Sequence, residues 1–174
     1  MSNSTHSLGT QLVRATQKET AMQRPLPMTV EAQSTLASGA NVEAKVVLHD
    51  NDRFSHMAGE IIVHCQPTPS ARPEAAQRKA ERFCARASYL TERLQFVESD
   101  ARGNAIARST PQTMRGPRAE YFEAKVGENE ISLQRFKPHE DKPGREVVPF
   151  CVTDEILARL ADDAAGVLTP QKGS

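Results

Sequence analysis

Residues 121–136 read YFEAKVGENEISLQRF. Two runs of alternating apolar and polar residues flank the pair Gly127-Glu128. Alternation with a period of two marks half-buried strands. Glycine at the first of two loop positions is the signature of a type II′ hairpin turn. Such a turn sets Ala124 opposite Ile131 and Phe122 opposite Leu133 on one face. It sets Lys125 opposite Glu130 on the other, an opposite-charge pair. The stretch predicts an antiparallel hairpin, and an antiparallel sheet around it.

A second hairpin precedes it. Leu94, Phe96 and Glu98 lead to Ala101-Arg102-Gly103. A three-residue loop with glycine in the left-handed third position is a common hairpin connection. It places Asp100 opposite Asn104 and Glu98 opposite Ile106. Before this hairpin, residues 73–93 carry apolar side chains at Ala76, Ala80, Phe83, Ala87 and Leu90, continued by Leu94. Steps of four and three make one helical stripe. The opposite face is basic, with Arg78, Lys79, Arg82, Arg86 and Arg93.

Two further strands come first. Val42, Ala44, Val46 and Leu48 alternate with Glu43 and Lys45, and Ile61, Val63 and Cys65 form the better apolar face of a second strand. Opposed residues share a face, so their numbers must sum to an odd value, for example Leu48 facing Ile61. That register leaves a loop over about 50–59. Toward the C-terminus, residues 147–152 form a strand in which Pro149 implies an edge or a bulge. Thr153 then caps a final helix with a stripe at Ile156, Leu157, Leu160, Ala164 and Val167. Gly166 is expected to mark its end.

All eight aromatic residues lie at or beyond Phe54, and residues 1–40 are rich in Ser, Thr, Gln and Ala. Such a segment buries little apolar surface, so residues 1–38 are expected to be a flexible arm. Within it Leu8, Leu12, Val13 and Ala15 could form one short helix on a partner, stopped by Pro25 and Pro27. The expectation is a single α+β domain over 42–168 with a flexible tail, 169–174. Its antiparallel sheet has six to seven strands in the order ββα-ββ-ββ-βα, with a long amphipathic helix and a C-terminal helix.

Chemistry leaves few marks. Phosphate-binding glycine loops, nucleophile elbows and zinc-protease signatures do not occur, so no residue is assigned a catalytic role. Cys65, Cys84 and Cys151 are odd in number, widely spaced and set in apolar patterns. They are expected to be reduced core thiols in a cytoplasmic protein, with no cofactor. The residue types of a metal site gather at His49, Asp52 and His56, within the expected loop. A metal-dependent enzyme using that loop is therefore the alternative to a binding role. A third reading places nucleic acid on Arg78, Lys79, Arg82 and Arg86, although no aromatic platform accompanies them.

The total charge is zero: 22 basic and 22 acidic groups. It hides a division, because residues 72–118 carry ten basic and five acidic groups, and residues 119–165 carry six and eleven. These halves either neutralise each other within one fold or meet complementary patches on neighbouring copies. The leading expectation is a non-catalytic protein-interaction or structural module. Its partner is a protein or a second copy, engaged through the arm or the four basic helix residues; nucleic acid is the least favoured of the three readings, and no membrane role is expected.

Overall fold

The computed structural model describes residues 6–67, 74–110 and 120–169. Among them the chain forms three α-helices and a nine-stranded antiparallel sheet, an α+β fold. It opens with α1 (Leu8–Ala21), β1 (Met28–Thr35), β2 (Asn41–Asn51) and β3 (Ser55–Cys65). Then come α2 (Ala76–Arg86) and two hairpins, β4 (Leu94–Ser99) with β5 (Ala105–Ser109) and β6 (Tyr121–Val126) with β7 (Glu130–Pro138). The chain ends with β8 (Arg145–Val148), β9 (Phe150–Thr153) and α3 (Asp154–Leu168). The main strand order is β1-β2-β3-β7-β6-β5-β4. Where β3 and β7 part, β9 pairs β3 and β8 pairs β7. Pro149 stands between them and cannot donate to either ladder, which is why the expected single strand divides there.

Residues 1–5 of the expected arm lie outside the described residues, and the rest of it is built into the fold. Ser7 caps α1 by accepting from the Thr10 amide, and Leu8, Leu12 and Thr16 are all fully buried. Their four-residue spacing makes a narrow stripe against α3 and the first two strands. Val30 and Ala32 of β1 alternate into the same core. Composition misleads here because Gly9 lets α1 pack closely with only two leucines in its stripe. At Gly9 the helix meets the backbone of Ala158 in α3 without room for a methyl group. Aromatics are unnecessary where two backbones approach that closely.

Registers differ from expectation in instructive ways. β2 and β3 pair with an odd sum, but as Val46 with Ile61 and Glu43 with His64. Two irregularities follow: Gly59 and His49 each lack a cross-strand partner. The His49 ring lies where a Gly59 side chain would be. These bulges break the alternation, so residues that read as a long loop are strands joined by a turn at 52–54. Next to its turn the β4–β5 hairpin has the expected register, with Glu98 opposite Ile106 and Gly103 at φ +85°, and beyond Glu98 it shifts by one, to Phe96 opposite Ala107. In β6–β7 the register slips by two: Ala124 faces Leu133 and Lys125 faces Ser132. Gly127 does not take a positive φ, and its amide donates to Glu130 O across a wider turn, so the two-residue loop is not formed.

The helices also differ from the pattern. α2 stops at Arg86, and the apolar stripe continues through the following turn because Ala87 and Leu90 also face the core. α3 runs through Gly166 to Leu168. That glycine leaves space for Arg86, and its carbonyl accepts from Arg82. Cys65 and Cys84 are buried, but Cys151 is exposed, because Phe150 and Val152 take the inward positions of β9. The expected link over 109–117 and the tail lie largely outside the described residues. Thr153 caps α3 as expected, its hydroxyl accepting from the Ile156 amide at 3.3 Å. Thr153→Ala should lower stability by about 1 kcal/mol in urea unfolding; an unchanged midpoint would deny the cap.

Candidate functional site

The basic face of α2 is largely engaged by its own chain. Lys79 is buried, and its ammonium donates to Glu128 O at 2.7 Å and Gly127 O at 3.4 Å. Burial pulls its pKa below the usual lysine range. Arg82 binds the Glu74 carboxylate and the Gly166 carbonyl, and Arg86 lies 3.9 Å from Asp163. Arg78 is exposed. Of these ion pairs, Arg86 with Asp163 joins the basic half of the sequence to the acidic half.

The three metal candidates turn to three places. His49 packs over Gly59. Asp52 accepts from the amides of Phe54 and Ser55 at 2.7 and 2.8 Å, and these bonds hold its carboxyl below the usual range. His56 is buried, with Nε2 2.8 Å from Asp154 at the start of α3. Asp154 also accepts from Gln17 at 2.9 Å, so this carboxylate ties α1, β3 and α3 together. Among the described residues, no group of three or more His, Cys, Asp or Glu is arranged to hold a metal ion.

What the fold does create is a two-sided sheet with one side covered. α1 lies over β1 and β2, α3 over β3 and α2 over β4 and β5, all on the face bearing the apolar core. The opposite face carries the alternate residues. Glu31, Lys45, Ile62, Ser132, Lys125 and Ile106 succeed one another across β1, β2, β3, β7, β6 and β5 as directly paired neighbours. A shallow groove of about 210 Å³ runs there between Glu43, Lys45, Ile62, His64 and Glu130. Lys45 bridges Glu31 at 3.1 Å and Glu43 at 3.5 Å.

At the far end of this face lies a buried carboxylate. Glu123 is 2% exposed and accepts from Arg108 Nε at 2.7 Å and Arg145 Nη2 at 2.8 Å. Arg145 reaches over from β8, stacks 3.9 Å above the Phe136 ring and donates to the Tyr121 hydroxyl at 2.9 Å. Burial alone would push the Glu123 pKa up, but the two guanidinium groups outweigh it and hold the carboxyl below its usual range. A carboxylate pinned this way is a structural anion and not a proton acceptor.

A second cluster sits on the helix side. Glu92, 8% exposed, accepts from Ser109 Oγ at 2.6 Å and Arg135 at 2.8 Å, and Ser109 Oγ accepts from the Phe122 amide. Sequence reasoning missed both clusters. One signal was present: Arg135 and Ser109 fall in phase with the inward Ile131, Leu133, Ala105 and Ala107. Polar residues at core positions announce a buried network. No protein family, curated protein or solved structure matches this chain.

Proposed function

We propose that this chain is a non-catalytic protein-interaction module that receives its partner on the open face of its sheet. One observation carries the reading: all three helices pack on one side, and the other side presents half-buried aliphatic residues among paired charges. Seven strands at ~4.8 Å spacing and ~20 Å length give a face of roughly 600 Å². That approaches the ~800 Å² per partner of a standard protein interface. The charges alternate in sign, with Glu43, Glu60 and Glu130 among Lys45, Lys125 and Arg108. A phosphate backbone would meet repulsion there, whereas a polypeptide of mixed charge finds complements.

Among the described residues no helix is long and apolar enough to cross a membrane. Three free thiols, two of them buried, favour a reducing, cytoplasmic setting. The test is capture of a partner by the full chain and by two variants. Ile62→Asp on the open face should reduce capture at least tenfold, while Arg78→Asp on the exposed side of α2 should leave it unchanged. Loss with Arg78→Asp alone, or no captured protein at all, would overturn the reading.

A further inference from the structure

We infer that β1 pairs with the β1 strand of a second copy, making a two-fold dimer with one continuous sheet. β1 ends the strand order, and among the described residues no other backbone hydrogen-bonds to its outer side. Its eight residues, MTVEAQST, pair β2 without interruption. They contain no proline and no basic residue, and their one charge, Glu31, is bound to Lys45. Natural edge strands are normally guarded by a bulge, a proline, a lysine or short length. The opposite edge is guarded in this way: β4 has six residues, an irregularity between Phe96 and Glu98, and Arg93 and Asp100 at its ends. Of the two ends of the main strand order, only β1 is left open to pairing.

The strand is also complementary to itself. Opposed residues in an antiparallel pair share a face, so core-facing Met28, Val30, Ala32 and Ser34 must meet their own kind. A two-fold axis at Ala32 gives one of the two longest such registers, seven residues of β1. It sets Val30 against the second copy's Ser34, Thr29 against its Thr35, and Glu31 against its Gln33, which can donate to the carboxylate. Half-buried Met28 would meet half-buried Leu36, covering both. Moving the axis to Glu31 would oppose two carboxylates, so charge selects the Ala32 register.

This inference stands on the edge and not on the open face, so it survives the failure of the proposed function. Sedimentation of the full chain over a dilution series tests it. A reversible dimer is expected. Gln33 is exposed, and Gln33→Lys places a cation opposite Glu31 twice in each dimer. The dissociation constant should fall about two- to thirtyfold, and Gln33→Glu should raise it by a similar factor. Circular dichroism of both variants checks that the fold is kept. A monomer at every concentration would overturn the inference, as would a dimer indifferent to both substitutions.

Discussion

Gly9→Ala is expected to destabilise the protein by about 2 kcal/mol, although alanine is the better helix former. A methyl group at this position would lie 2.7 Å from the Ala158 Cα and closer still to its carbonyl oxygen. The obstruction is backbone, so no side chain can rotate away. The Gly9 amide also donates to Asp162 at 2.7 Å, fixing α1 against α3 at this point. Overpacking of a filled site costs ~1–3 kcal/mol and sometimes more, and the gain in helix propensity of ~1 kcal/mol offsets part of it. The net loss includes the levering of Leu8 and Leu12 out of the core. Gly166→Ala is the control, because its methyl group meets only the mobile end of Arg86. Urea unfolding reads both. If residues 1–38 were an independent arm, Gly9→Ala would leave global stability unchanged.

Glu123→Gln is expected to cost about 2 kcal/mol at neutral pH, and the cost should vanish in acid. Glutamine keeps the shape but leaves Arg108 and Arg145 without their shared anion. Breaking a buried pair costs ~3–5 kcal/mol, and the partial exposure of both arginines reduces that here. The sign of the pH dependence follows from the depressed pKa of Glu123. In the unfolded chain the carboxyl titrates near ~4.3. Above that value the full stabilisation is present; it is lost as pH falls through the lower, folded value. Wild type and Glu123→Gln should therefore converge in strong acid. A difference that is the same at neutral and acid pH would mean that the charge does no structural work.

The sequence made the sheet legible wherever a local turn sets the register. Gly103 is the clearest instance, because its left-handed conformation fixes the β4–β5 pairing within a few residues. The second hairpin was legible in its faces but not in its register. Moving the pairing by two residues keeps every side chain on its own face, and only the turn can choose between the two. The bulges at His49 and Gly59 were hidden because their cause, the stacking of one on the other, is a contact across strands. The docking of the N-terminal helix into the core was hidden for a different reason. Its stripe of Leu8, Leu12 and Thr16 is weakly apolar, and its stability comes from how closely Gly9 lets it approach α3.

The site was less legible than the fold. The basic residues of α2 look like a solvated face in sequence, but Lys79 is buried under the β6–β7 turn and Arg82 and Arg86 reach α3. These are tertiary contacts with no local signature. The same holds for Glu123, whose two arginines come from strands on either side of unrelated loops. Charge segregation along the chain maps only partly onto the structure: Arg86 with Asp163 and Arg108 with Glu123 join the two halves, whereas Arg82 with Glu74 and Arg145 with Glu123 pair within one.

Hydroxyl-radical footprinting of the chain, alone and with its captured partner, tests the central claim most directly. Protection of Ile62, Ile106 and Tyr121 on the open face is expected, with Arg78 and Glu81 on the outer side of α2 unchanged. Protection confined to the helical side, with Ile62 and Ile106 as reactive as in the free chain, would contradict it.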